Sequence, residues 1–366
     1  MRLKKKYRIL LMIIGIILGI GILAIGSLLG YYNYNLGKVS NNNEIKIVKI
    51  EKGSTSISIG EVLKENNLIK DKNVFLVYLK LNKINNLKFG TYQFSEDMGI
   101  KKIVNLLVEG SKYNPDEVTL TIKEGVHMRD IAKSISEVTN NSYDDVINKA
   151  NDINYINKLK QKYWFITDDL DNNELYYKLE GYLYPDTYKL TNKDVSVEYI
   201  FDKMLDEMDK NLSEYKDLKG NVYDLSIHEY LSLASMVEKE GALVSDRKSI
   251  ASVFLNRLKI NMALGSDVTT RYAVKVDDPK QVLTAKQYQS KSPYNTRLSD
   301  GSMNGKLPVG PISTISKGSL DAVFSPDVTE YIYFIANIQT KETFFYEKYS
   351  DFLKKKNELQ EVNGGF

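Results

Sequence analysis

Glu238 and Glu240 close the segment Tyr230–Gly241, YLSLASMVEKEG. A carboxyl group delivered at the end of a short helix can act as a general acid. Tyr230, Leu231, Leu233, Ala234 and Val237 recur at a spacing that suits one helical face, and Gly241 supplies a natural stop. At about 100° per residue the two glutamates flank that face on opposite sides. Periodicity therefore does not choose between them. The negative end of the helix dipole favours a protonated carboxyl, which suits an acid. The plain alternative is two solvated surface charges, since glutamate is rarely fully buried.

Other chemistries find little support. There are no cysteines, which excludes disulfides, a thiol nucleophile, zinc–thiolate sites and a lipoprotein-type anchor. His127 and His228 stand about a hundred residues apart without marked carboxylate partners, so they read as ordinary core or surface histidines. Asp169, Asp171, Asn173 and Glu180 match the register of a calcium loop, but Glu174 occupies the position where the sharp turn needs glycine. Ser245 to Lys248 fits a serine-acylation pattern whose companion K-T-G is absent. No nucleotide-binding glycine pattern is present. No metal or other cofactor is expected. A net charge of +3 gives no argument for nucleic acid.

Downstream of residue 175, five segments combine small, polar and aromatic residues with Gly and Pro. They are EGYLYPDTYK from Glu180, the helix ending at Glu240, NRLKINMALGSDVTTRYA from Asn256, SPYNTR from Ser292 and KLPVGPIS from Lys306. Turn-rich segments of this kind are where sites tend to lie. Asp267, Tyr294 and Asn295 are the groove candidates: Asp and Asn can hydrogen-bond a ligand's polar groups, and Tyr can stack on a ring. Turn formation and core packing are the alternatives for these residues. Glu180 is the other acid of interest, with holding its own loop as the alternative.

In combination, EGYLYPDTY, LASMVEKE, ASVFLNRL, SPYNT, LPVGPIS, SLDAVFSP and YIYFIAN resemble the endolytic murein transglycosylases, the YceG-like family, over essentially the whole chain. The resemblance places the catalytic acid on the second Glu of the E-K-E triplet, Glu240. It implies cleavage between N-acetylmuramic acid and N-acetylglucosamine without water, leaving a 1,6-anhydromuramyl end and terminating strand elongation. It also implies work beside penicillin-binding synthases. Three departures touch the groove: Val268 and Val309 stand where the family usually has proline, and Glu342 stands where it has a histidine. A non-catalytic peptidoglycan-binding scaffold and a hydrolase are the rival functions.

These residues must be carried by an α+β chain of 366 residues, 43% hydrophobic and 27% charged, long enough for two or three domains. Residues 1–8 form a basic tail. Residues 9–30 are an uncharged run long enough to span a bilayer. Positive charge before it predicts a cytoplasmic N-terminus and an extracytoplasmic remainder, a single-pass protein of the cell membrane. The length of the run favours an anchor over a leader cleaved near Ala24-Ile25-Gly26. Residues 31–44 read as a linker and 45–112 as a LysM-like β-α-α-β module, with a ligand-free spacer as the alternative. Residues 113–165 read as a strand–helix connecting segment, faintly repeating the module's strand, glycine turn and helix. One helix is expected over Tyr143–Leu159. Residues 166–366 form the catalytic domain, with a buried strand at Tyr331–Ala336 and a closing helix at Tyr349–Leu359.

Overall fold

The computed structural model describes residues 5–216, 223–241, 243–278, 281–337 and 339–360. Residues 1–4 of the expected basic tail lie outside this set. The chain divides into two compact units, Met1–Asp116 and Glu117–Phe366.

The first unit begins with α1, Lys5–Leu36. Within it, Tyr7–Leu36 is apolar enough to cross a membrane, with a mean hydropathy of 3.0. Thirty residues at about 1.5 Å each exceed the roughly 30 Å hydrocarbon core. The helix continues past Gly30, so Tyr31, Tyr32 and Tyr34 are helical rather than part of a linker. No Gly or Pro interrupts Tyr31–Leu36, and the stop comes only before Gly37. Strand β1, Lys46–Ile50, pairs antiparallel with β2, Gly90–Phe94. Between them lie α2, Ser56–Glu65, and α3, Lys72–Leu81. Thr55 and Asp71 cap these helices by accepting from Ser58 N and Val74 N. That cap explains why α2 starts ahead of its first apolar residue. After β2, α4, Gly99–Glu109, lays Ile100, Ile103, Val104 and Leu107 onto a core with Leu63, Phe75 and Phe94.

In the second unit, β3, Val118–Thr121, pairs antiparallel with β4, Thr187–Leu190. Residues from 117 to 165 therefore share a sheet and a core with the rest of this unit. Three helices fill the interval: α5, Met128–Val138; α6, Tyr143–Ala150; and α7, Ile153–Lys162. The single helix expected over Tyr143–Leu159 is two. Asp152 breaks it by accepting from Asn154 N and Tyr155 N, which starts α7. Then come α8, Val197–Leu212; α9, Ile227–Glu240; α10, Arg247–Lys259; α11, Asp267–Ala273; α12, Ala285–Tyr288; and α13, Lys317–Phe324. Helix α9 packs against both α10 and α13.

The C-terminal strand is shorter than expected and half-buried. Strand β5, Tyr333–Ala336, pairs antiparallel with β6, Thr343–Tyr346, in a two-stranded ribbon. A two-stranded ribbon has too little partner surface to enclose both faces. Tyr333 stacks on Tyr349 and Phe352 of α14, Tyr349–Gln360, which is the expected closing helix.

Candidate active site

Helix α9 is the axis of the second unit. A capping box starts it: Ser226 Oγ accepts from Glu229 N, and Glu229 accepts from Ser226 N. Every residue from Tyr230 to Val237 is buried, so the helix is enclosed on all sides rather than along one stripe. Its two interior serines are satisfied locally: Ser232 Oγ donates to His228 O (2.8 Å) and Ser235 Oγ to Ser232 O (2.7 Å). Ser235 Oγ also accepts from Ile312 N (3.0 Å), which fixes the LPVGPIS loop to the helix.

The two glutamates at the helix end have different surroundings. Glu238 accepts from Arg247 Nη2 (3.0 Å) and Nη1 (3.3 Å), and from Ser316 N (3.0 Å) and Ser316 Oγ (2.5 Å). The ion pair is nearly closed to solvent, with side-chain exposures of 4% and 9%. Both carboxylate oxygens of Glu238 are thus committed to holding α9, α10 and the start of α13 together. Among the described residues Glu240 accepts a single bond, from Ser266 Oγ (2.6 Å). Burial pushes its carboxyl above the usual range, and nearby Asp267 adds to the rise. The Ser266 bond and the charges of Arg297 and Arg257 partly oppose it. Between the two, Lys239 turns away and donates to Gly125 O (3.0 Å).

The floor beside Glu240 comes from two of the turn segments. Gly265, at φ +63°, takes a backbone conformation that other residues avoid, and its N–H donates to Thr296 O (3.0 Å). Ser266 N donates to Thr296 Oγ1 (3.2 Å). Arg257 donates to Leu264 O (2.6 Å) and Ile332 O (2.7 Å), tying α10 to this floor and to the β5 edge. Asp267 pairs with Arg297 (2.5 Å), both half exposed. The carboxylate of Asp267 is thus near Glu240 but already engaged by a cation.

The remaining site candidates lie behind this floor. Tyr294 and Asn295 are both 0% exposed, so neither has a face free for a sugar. Tyr294 packs against Tyr176 and Tyr272, and its hydroxyl accepts from Tyr176 N (3.2 Å). Asn295 accepts from Thr270 Oγ1 (2.7 Å) and donates to Tyr288 O and Ser290 O, which closes its own turn. The groove role expected for these two gives way to core packing and turn formation. Glu180 is 1% exposed; it accepts from Met128 N at the start of α5 (2.9 and 3.1 Å) and from Tyr272 Oη (2.9 Å). Burial pushes its carboxyl up to about 7. Gly181 follows at φ +77°, with Pro311 so close that a Cβ would fall 2.2 Å from it. The EGY turn and the LPVGPIS loop are thus packed backbone to ring.

Both histidines are core residues. His228 donates from Nε2 to Val309 O (2.9 Å) and accepts at Nδ1 from Tyr182 Oη (2.7 Å). His127 donates from Nδ1 to Ile312 O (2.6 Å). The calcium-loop positions disperse, with Asp171 on Lys160 and Glu180 on Met128. Among the described residues no cluster could hold a metal ion.

Four residues of the site escaped sequence reasoning: Ser266, Arg297, Arg257 and Arg247. Ser266 lies unremarked within the turn segment that begins at Asn256. Arg247 sits in a stretch that suggested only an acylation motif.

A family model for the YceG-like family matches residues 48–358. The chain belongs to the YceG-like family. It is 34% identical over 299 residues to an endolytic murein transglycosylase of Bacillus subtilis (strain 168), covering 81% of this chain and 80% of that protein. It is 29% identical to an endolytic murein transglycosylase of Streptococcus pneumoniae serotype 2 (strain D39 / NCTC 7466), covering 96% of this chain and 65% of that longer protein. The crystal structure of a yceG-like protein from Listeria monocytogenes matches with a TM-score of 0.59 at 34% identity, covering 85% of this chain and 99% of that one.

Not every hollow in this YceG-like fold belongs to the glutamate site. A cavity of about 1310 Å³ opens at the N-terminal end of α9, lined by Trp164, Tyr215, Tyr230, Phe324, Lys306 and Leu307. The length of α9 separates that end from Glu240, roughly 20 Å at about 1.5 Å per residue.

Proposed function

We propose that the chain is a membrane-anchored endolytic transglycosylase that cleaves peptidoglycan glycan strands, with Glu240 as its acid and base. One observation carries the choice of residue. Of the two glutamates, Glu238 is saturated by Arg247 and Ser316, while Glu240 has one partner and a raised proton affinity.

Ordinary glycosidases divide the work between two carboxylates. Here one suffices. Protonated Glu240 gives its proton to the glycosidic oxygen as the bond to the muramyl C1 breaks. The resulting carboxylate then takes the proton of the muramyl 6-hydroxyl as that oxygen attacks C1. The products are a 1,6-anhydromuramyl end and a free N-acetylglucosamine 4-hydroxyl. Because the nucleophile belongs to the same sugar, its effective concentration is high and no water is needed. Burial raises the proton affinity of Glu240, which favours the protonated form that the first step needs.

The first unit supports a LysM-like reading through its β-α-α-β order and antiparallel strand pair. Helix α1 supports a single membrane span, and the basic residues at its N-terminal end support a cytoplasmic N-terminus. Anchored in this way, the enzyme meets nascent strands close to the bilayer and acts alongside penicillin-binding synthases. Mass spectrometry of digested peptidoglycan tests the reading: anhydro ends support it, reducing ends identify a hydrolase, and no cleavage identifies a scaffold.

A further inference from the structure

We infer that Ser266 is the positioning residue that holds the Glu240 carboxyl in its proton-transfer orientation. The inference rests on Glu240 as the acid and concerns what orients it.

Ser266 occupies the position before α11 where a serine normally bonds its own helix's free amides. Its hydroxyl makes no such bond. It is turned instead to Glu240 Oε1 at 2.6 Å, a short, charge-assisted distance. The chain thereby forgoes a stabilising helix cap.

The serine has little freedom to turn elsewhere. It is 3% exposed. Its N–H donates to Thr296 Oγ1, its carbonyl accepts from Thr269 Oγ1 (2.7 Å), and the Thr269 and Thr296 hydroxyls bond each other (2.7 Å). The left-handed Gly265 and the Arg257 bond to Leu264 O hold the preceding backbone. The SPYNT segment thus acts through Thr296 to fix Ser266.

The consequence is a distinction between the two carboxyl oxygens. With Oε1 accepting from Ser266, the proton resides on Oε2, which has no hydrogen-bond partner among the described residues. Oε2 is then the atom that protonates the glycosidic oxygen. After transfer, Ser266 stabilises the carboxylate while Oε2 accepts the 6-hydroxyl proton. The other charges facing Glu240 are Asp267 from α11, Arg257 from α10, and Arg297 just after Thr296.

The test uses the full chain with soluble glycan strands and compares Ser266→Ala, Ser266→Cys and Ser266→Thr with wild type and Glu240→Gln. Alanine removes the donor, cysteine keeps the volume with a weak donor, and threonine keeps the hydroxyl. The expected result is a kcat lowered about tenfold or more in Ser266→Ala and Ser266→Cys with KM unchanged, the size of one charge-assisted bond. The alkaline limb of the rate profile moves to higher pH in both, because the ionised form has lost its donor. Threonine restores both readouts. A cysteine or alanine variant with the wild-type kcat and pH limb overturns the inference, as does threonine failing as badly as alanine. If Glu240→Gln is dead while Ser266→Ala matches wild type, only the role of Ser266 falls. If Glu240→Gln is active, the acid assignment falls and takes this role with it.

Discussion

Glu238 and Arg247 form a nearly solvent-free ion pair at the end of α9. The carboxylate is bonded at both oxygens by the guanidinium and by Ser316. Its neighbour two positions on is left to face the site.

Removing that charge leaves Arg247 buried and unpaired. Glu238→Ala is expected to destabilise the second unit by about 3–5 kcal/mol, the usual cost of breaking one side of a buried pair. Denaturant unfolding measures this. The activity that remains per folded molecule should stay near wild type.

Glu180 makes stability depend on pH. Its folded carboxyl is pushed by burial up to about 7 from an ordinary 4.5. The folded state therefore holds its proton more tightly than the unfolded chain. This contribution is full below about pH 4.5 and is lost as pH rises through about 7. The span is on the order of 3 kcal/mol. Urea unfolding across that window should show wild type losing stability relative to Glu180→Gln, with the difference level at higher pH.

The pair Asp267–Arg297 tunes Glu240 from the rim. Asp267 raises the proton affinity of Glu240 and Arg297 lowers it. Asp267→Asn should move the alkaline limb of the rate profile to lower pH, and Arg297→Gln to higher pH. Both residues are half exposed, so both shifts should shrink in high salt. A pH–rate series at two ionic strengths checks the signs.

Gly181 joins two motif segments through space that a side chain would fill. Gly181→Ala meets both the positive φ and Pro311. The expected loss exceeds about 1 kcal/mol, the left-handed backbone term alone. Thermal unfolding measures it.

The sequence exposed those features that rest on local signals. The apolar spacing of Tyr230–Val237 and the stop at Gly241 marked α9. The different surroundings of Glu238 and Glu240 are not local. They depend on Arg247, and on Ser316 seventy-eight residues away along the chain. Tyr294 and Asn295 failed as groove residues for a related reason. Tyrosine and asparagine suit a sugar or a packed turn equally, and Tyr176, Tyr272 and Thr270 decide the matter by enclosing them. Ser266 was hidden because nothing in its own segment marks a contact with Glu240, twenty-six residues back along the chain. The break at Asp152 could have been read, since an Asn-Asp pair inside a polar helical pattern is a capping signal.

The most direct measurement is mass spectrometry of peptidoglycan digested by wild type, Glu240→Gln and Glu238→Gln. The expected result is anhydromuramyl ends from wild type, their loss in folded Glu240→Gln, and their persistence in Glu238→Gln. Anhydro ends from Glu240→Gln, with a folded but inactive Glu238→Gln, would contradict the assignment.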